Sequence, residues 1–209
     1  MKKILFILPL VFLLSACGPQ KKTEAPTPTP APKLIEMAPA DRPLVSLTPR
    51  DDGRMIYLKI SQMPSAVSQI EYEVIYTAVD GKSEIEKGVG DTIKEITSII
   101  ERKILLGTES CTNGCKYKYD EGVTGGTLTL NFITNAGQIF SFETPFTLKT
   151  GAQITKDGQI RLPVANFSLT PKAKLAAKDF FILMENYRGG YSVYSNTSNS
   201  LVGEYSAQE

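Results

Sequence analysis

The feature that most constrains this fold is a period-two alternation of apolar and polar residues, which recurs along the chain from Leu44 onward. In an extended strand such alternation places the apolar side chains on one face and the polar side chains on the other. The clearest runs cover residues 56–60, 70–78, 128–133 and 140–142. The pattern therefore predicts a mainly β protein whose strands each bury one face.

Turn residues separate these runs. Asp80-Gly81, Asn135-Ala136-Gly137 and Asp157-Gly158 are predicted hairpin turns, because Asn, Asp and Gly tolerate the positive φ angles that tight turns require. Residues 44–149 then hold about seven strands, the number and length typical of one sandwich domain. This region resembles an immunoglobulin-like or fibronectin-type-III-like domain. The resemblance implies an antiparallel β-sandwich, although the chain has no Trp for the antibody-type Cys…Trp…Cys core.

Residues 91–106 carry two patterns at once. Ile93, Ile96, Ile100 and Ile104 recur at helical spacing. The segment is nevertheless rich in Ile and Thr and has glycines on both sides, which favours extended structure. We expect two short strands here, with a helix as the alternative.

The remainder of the chain also has sequence patterns typical of strands. Strands are predicted over residues 159–164, 179–187 and 191–194. We expect residues 150–195 to extend the sandwich or to form a small second β unit packed on it. Residues 196–209 begin in a segment rich in Ser and Asn, which predicts a flexible tail.

The first residues have the layout of an export signal. Lys2 and Lys3 precede an apolar run over residues 4–14, which is too short for the roughly 20 residues that span a bilayer. The run ends in Leu14-Ser15-Ala16-Cys17, and this stretch resembles the lipobox signal peptide of bacterial lipoproteins. That resemblance implies removal of residues 1–16 and a lipid, with palmitate-type acyl chains, on Cys17. The protein would then be anchored to the cell membrane or outer membrane on its extracytoplasmic face.

Residues 17–43 are predicted to be a disordered tether behind that anchor. Pro alternates with Thr and Ala over residues 23–32, a composition typical of extended polyproline II structure. Such a segment reaches about 3.1 Å per residue, or roughly 30 Å in all. The spacer holds a domain clear of the lipid surface.

Cys111 and Cys115 remain once Cys17 is assigned to lipid. An even pair outside the cytoplasm is most simply a disulfide, and Asn113-Gly114 between them is a turn dipeptide. A redox-active pair normally has Cys-x-x-Cys spacing, and a zinc site needs four ligands. The sequence therefore predicts a structural disulfide, with no metal and no cofactor.

No catalytic constellation is recognisable. The chain has no His, so the Ser-His-Asp and Cys-His arrangements are not available. Asp51-Asp52 and Asp120-Glu121 each precede a Gly, where acidic residues are typical of solvated turns. The net charge of +1 gives no basic field for nucleic acid.

One segment suggests a ligand surface. Tyr187, Arg188, Tyr191 and Tyr194 lie close together around Gly189-Gly190 and would present an aromatic platform, although strand propensity at a hairpin explains the same residues. We therefore expect a non-catalytic binding, adhesion or structural module of the cell envelope. Its partner would be another envelope protein or a cell-wall glycan. The alternative is a His-independent envelope hydrolase that uses Asp and Glu.

Overall fold

The computed structural model describes residues 36–197 and the backbone of residues 203–207. The fold is mainly β and its strand pairs are antiparallel, as the alternation predicts. The signal peptide, Cys17 and most of the tether lie outside the described residues. In the part of the chain that is described, no helix is both long and apolar enough to cross a membrane.

The smaller sheet of the sandwich has three strands in the order β1-β2-β5. These strands are β1 (Leu44–Pro49), β2 (Met55–Ser61) and β5 (Ile99–Leu105). Val45 pairs with Ile60, which pairs in turn with Ile100, so the apolar positions of all three strands share one face. Residues 91–106 contain strands and no helix: one strand ends at Ile93, residues 94–98 connect it to the next, and β5 begins at Ile99.

The larger sheet has six strands in the order β13-β12-β9-β8-β3-β4. They are β3 (Val67–Asp80), β4 (Ser83–Ile93), β8 (Gly125–Thr134), β9 (Ile139–Thr150), β12 (Phe180–Glu185) and β13 (Tyr191–Ser195). Two of the predicted turns join its neighbouring strands. Asp80-Gly81 leads into the β3–β4 turn, and Asn135-Ala136-Gly137 lies between β8 and β9.

The main core lies between these two sheets. Its fully buried side chains include Leu47 and Ile56 from the small sheet and Val74, Leu130 and Phe132 from the large one. Two additional short strands, β6 (Gly107–Cys111) and β7 (Cys115–Tyr119), form a separate hairpin inserted between β5 and β8.

The C-terminal segment contributes to the large sheet and to a third sheet. β12 and β13 extend the large sheet beyond β9. The third sheet has the order β10-β11-β14, where the strands are β10 (Ile160–Leu162), β11 (Phe167–Pro171) and β14 (Gly203–Ala207). A second core cluster joins Ile160 and Leu169 from this sheet to Phe181 and Leu183 from β12. Because Ile182 and Met184 of β12 belong to the first cluster, β12 is buried on both faces.

The structure corrects three local expectations. Residues 203–207, expected to lie in a flexible tail, form β14 and pair with β11. Asp157-Gly158 does not turn a hairpin, because it ends the helix α1 (Gly151–Asp157), which Gly158 caps with a φ of 73°. Sequence reasoning did not predict α1. Its signal was the Thr150-x-x-Gln153 capping box, in which each residue's side chain bonds the other's backbone N–H.

The third correction concerns the end of the tether. Residues 36–43 are ordered on the domain and include a short 3₁₀ helix, Pro39–Asp41. Met37 is buried, and Arg42 donates hydrogen bonds of 2.9 Å to the carbonyls of Met37 and Tyr187. The Arg42 guanidinium also lies 5.1 Å from the centroid of the Tyr187 ring. These contacts hold the segment against the turn between β12 and β13.

Candidate functional site

The predicted ligand surface is divided by the structure. Tyr187 is buried and stacks on Phe142, with ring centroids 4.6 Å apart. Tyr191 packs into the second core cluster, where its ring lies 4.0 Å from that of Phe167. Tyr187, Arg188 and Tyr194 do line a common cleft, but Tyr191 is not part of it. The four residues therefore do not form one aromatic platform.

Three of the four acidic side chains in the pairs Asp51-Asp52 and Asp120-Glu121 have hydrogen-bond partners. Arg50 donates to both carboxylate oxygens of Asp52 through Nε and one terminal nitrogen, and this hydrogen-bonded pair lowers the pKa of the Asp52 carboxyl. Asp51 accepts a hydrogen bond of 3.3 Å from Asn196. The Asp120 side chain is only 6% exposed, and its two oxygens accept hydrogen bonds from Tyr76 and Lys87. These carboxylates hold turns and strand ends together.

The hairpin formed by β6 and β7, hereafter the Cys hairpin (residues 107–119), is the most exposed strand pair among the described residues. Cys111 and Cys115 face each other across its tip, with their Cα atoms 4.1 Å apart and their sulfurs at disulfide-bonding distance. Thr112, Asn113 and Gly114 form the turn between them, and Gly114 has a φ of 92°. The Asn-Gly signal therefore identified the turn in the sequence.

The base of the Cys hairpin is fixed to the sandwich. Leu106 immediately precedes it, lies in the core, and donates a 3.0 Å backbone hydrogen bond to Arg54. Asp120 immediately follows it and donates a 3.0 Å backbone hydrogen bond to the Leu106 carbonyl. At Gly107, a Cβ would lie 2.2 Å from the Lys118 carbonyl oxygen, so only glycine fits. The two strands thus leave the domain from a rigid base.

One face of the hairpin carries its aromatic residues. Side chains alternate along each strand, so Tyr117 and Tyr119 share a face with Glu109, which pairs directly with Tyr117. The two Tyr rings are nearly parallel, with centroids 6.1 Å apart. Arg54 covers Tyr119 at 4.7 Å, and Arg50 lies at 5.9 Å. We call Glu109, Tyr117, Tyr119, Arg50 and Arg54 the aromatic face.

The outer end of the aromatic face is open. The Tyr117 side chain is 48% exposed, whereas Arg54 and Arg50 stack on Tyr119 at the inner end. A hydrogen bond to the Glu109 carboxylate raises the pKa of Tyr117, so its hydroxyl is protonated at neutral pH. The surface therefore offers a flat ring beside a polar hydroxyl and a carboxylate. The opposite face of the hairpin carries Thr108, Ser110, Lys116 and Lys118.

Sequence reasoning identified the Cys pair but not this surface. The missed signal was the alternation in Cys115-Lys116-Tyr117-Lys118-Tyr119, which places both Tyr side chains on the face that carries the cysteines. Glu109 also lies beside the two sulfurs, and the Cys111 sulfur is 3.2 Å from its carboxylate. Sulfurs joined to each other supply no thiolate ligands, so we assign this group to the disulfide. Comparison with protein-family models, curated proteins and solved structures finds no match to this chain.

Proposed function

We propose that this chain is a lipid-anchored, non-catalytic binding module of the bacterial cell surface, and that the aromatic face of the Cys hairpin is its contact element. The observation that carries the proposal is the exposure of Tyr117 on a hairpin that is fixed at both ends. The Leu106–Asp120 base and the Cys111–Cys115 tip leave the strands little freedom.

A rigid aromatic protrusion suits binding for an energetic reason. Tyr supplies a large contact area at a small conformational cost, since only two side-chain torsions need to be fixed. A segment that is ordered before binding also avoids the entropy loss of ordering a loop in the complex. The stacking of Arg54 and Tyr119 behind Tyr117 adds to this order.

The free edges of the hairpin favour a protein partner. Within the described residues, β6 and β7 pair only with each other, so the outer edge of each strand presents backbone N–H and C=O groups to solvent. An extended protein segment can pair with such an edge, and Tyr117 can pack on its side chains. A glycan has no backbone that would complement the edge. We therefore choose another envelope protein over a cell-wall glycan.

The sequence supplies the location. The lipobox at Cys17 would attach the chain to a membrane, and the Pro-rich segment over residues 23–32 would space the domain from the lipid. The lipid and the spacer position the module, while the Cys hairpin makes the contact. Attachment by two or more acyl chains is stable, whereas one chain binds only marginally.

Site-specific photocrosslinking in living cells tests both parts of this proposal. The full chain is produced with p-benzoylphenylalanine in place of Tyr117 and, as the matched control, in place of Val164, which is 83% exposed but lies outside the hairpin. We expect a crosslinked product of discrete mass from position 117 and none from position 164. A fatty-acid analogue fed to the same cells should label the chain, and Cys17→Ser should abolish that labelling.

Three results would count against parts of this proposal. Equal crosslinking from positions 117 and 164 would rule out the hairpin as the contact element. A product that a peptidoglycan hydrolase disperses would show that the partner is a glycan and would overturn the choice of a protein. Unchanged labelling of the Cys17→Ser chain would disprove the lipid anchor independently of either outcome.

A further inference from the structure

A cleft of about 420 Å³ lies on the outer side of the small sheet, away from the Cys hairpin. Its floor consists of two cross-strand pairs, Leu44 with Ser61 and Ser46 with Lys59, whose side chains point away from the core. Its wall is the turn between β12 and β13 with the adjoining Tyr194. The volume is within the range of about 300–1,000 Å³ that small-molecule sites occupy. We call this space the β1–β2 cleft.

The charged residues that line the β1–β2 cleft are all positive. Lys59 and Arg188 line it, and none of its lining residues is an Asp or a Glu. The Lys59 ammonium has one carboxylate partner, Glu101, at 3.1 Å, and both side chains are about half exposed or more. Such an exposed ion pair is weak because water screens it. A bound anion can therefore share Lys59 with Glu101 or replace Glu101 as its partner.

Arg188 is held in position for this role. Its Nε donates a 2.6 Å hydrogen bond to the Arg42 carbonyl, so the ordered segment 36–43 fixes the guanidinium. The guanidinium has five N–H donors, and this bond uses one of them. Within the described residues, no other hydrogen bond of Arg188 is found. Its terminal groups can therefore form the paired bonds that carboxylates and phosphates accept.

The rest of the lining supplies hydroxyl groups and an apolar wall. The Tyr194 hydroxyl lies 3.1 Å from the Asn186 side-chain oxygen and 3.3 Å from the Val45 carbonyl. Burial raises the pKa of Tyr194, so this hydroxyl stays protonated at neutral pH. Pro43 and Leu44 form an apolar rim, and Leu44 is 41% exposed although it is a large aliphatic residue.

We propose that the β1–β2 cleft binds a small anionic amphiphile, with its carboxylate or phosphate between Lys59 and Arg188 and its apolar body against Leu44. Both a phospholipid headgroup and a free organic acid have this chemistry. The proposal does not depend on the Cys hairpin, because the two surfaces share no residue.

An NMR titration tests this site in the full chain, reconstituted in nanodiscs of the zwitterionic lipid phosphatidylcholine. The probe is phenyl phosphate, and benzyl alcohol is its uncharged counterpart. We expect saturable binding of phenyl phosphate with shifts at Leu44, Ser46 and Tyr194, and at least tenfold weaker binding of benzyl alcohol. Glycerol 3-phosphate and benzoate then separate the two sources, because the better binder identifies a phospholipid headgroup or an organic acid.

Two charge variants with opposite expected signs make the test decisive. Lys59→Gln should weaken phenyl phosphate binding about fivefold, whereas Glu101→Gln should strengthen it about twofold by releasing Lys59 from its partner. Both side chains are exposed and outside the core, so neither change is expected to unfold the domain. Lys174→Gln is the matched control, since Lys174 is exposed and does not line the cleft.

The proposal fails if phenyl phosphate binds no more tightly than benzyl alcohol. It also fails if Lys59→Gln and Glu101→Gln bind phenyl phosphate with the same affinity as the control Lys174→Gln. Crosslinking from position 117 is unaffected by either failure, so the hairpin proposal and the cleft proposal can be judged separately.

Discussion

Asp120 holds two side chains of neighbouring strands in place. Tyr76 of β3 and Lys87 of β4 are direct cross-strand partners, and both reach the Asp120 carboxylate. Asp120 also follows the Cys hairpin, so this buried network ties the base of the hairpin to the large sheet. In the sequence Asp120 resembles a solvated turn residue, because the residues that bury it are more than thirty positions away.

Tyr76→Phe tests this network at the level of one hydroxyl. Its hydrogen bond to Asp120 is 2.8 Å long, and the rest of its side chain is buried. We expect the free energy of unfolding to fall by about 1–2 kcal/mol, since the carboxylate loses a donor while the ring still packs. Urea unfolding followed by circular dichroism measures the change. Tyr57→Phe is the control, because the hydroxyl group of Tyr57 has no hydrogen bond in the described structure.

The effect of Tyr76→Phe on the free energy of unfolding should also depend on pH. Burial and the bond to Asp120 raise the pKa of Tyr76 above its ordinary value near 10, so the unfolded chain loses this proton first as the pH rises. The stabilisation that the protonated Tyr76 hydroxyl contributes is complete below about pH 10 and is lost progressively as the pH rises above it. Tyr76→Phe should therefore reduce the alkaline loss of stability, and an unchanged loss between pH 9 and 11 would contradict the assignment.

At the scale of elements, the Cys hairpin has little support beyond its base and its disulfide. Both of its strands are almost wholly exposed, so no core packing stabilises them. The ring that Cys111 and Cys115 close is short, and loop entropy gives it about 2 kcal/mol of stabilisation. The disulfide should therefore stabilise the hairpin locally and the sandwich very little.

Replacing both Cys111 and Cys115 by Ser measures that local effect. We expect amide hydrogen exchange over residues 107–119 to accelerate about 30-fold, which corresponds to about 2 kcal/mol. Exchange in β3, β8 and β9 should remain as in the unmodified chain, because their hydrogen bonds and core contacts are intact. A comparable acceleration in those strands would mean that the disulfide stabilises the whole fold.

At the scale of the whole molecule, β12 couples the two core clusters. Ile182 and Met184 face the sandwich core, and Phe181 and Leu183 face the cluster formed with β10 and β11. A strand that is buried on both faces has a continuous run of apolar residues in its sequence. β12 has such a run in Phe180-Phe181-Ile182-Leu183-Met184. The C-terminal segment is thus continuous with the sandwich through β12.

Leu183→Ala in the second cluster and Leu130→Ala in the first test this coupling. Both side chains are fully buried, so each change should lower the free energy of unfolding by about 2–5 kcal/mol. We expect one cooperative transition in each variant, seen at the same urea concentration by Tyr fluorescence and by circular dichroism. Two separate transitions for Leu183→Ala would show that residues beyond β9 unfold as a unit of their own.

The sequence alone determined the fold class, the hairpin turn after Asp80, the turn at Asn135 and the pairing of the two neighbouring cysteines. These depend on alternation, on turn residues and on short separation along the chain, all of which are local. Only the tertiary structure decided that Tyr191 lies apart from Tyr187 and Tyr194 and that Asp120 is buried. It also decided that β14 pairs with β11 and that Arg188 and Lys59 line the same cleft. The partners of these residues come from distant segments, and packing between sheets determines which side chains meet there.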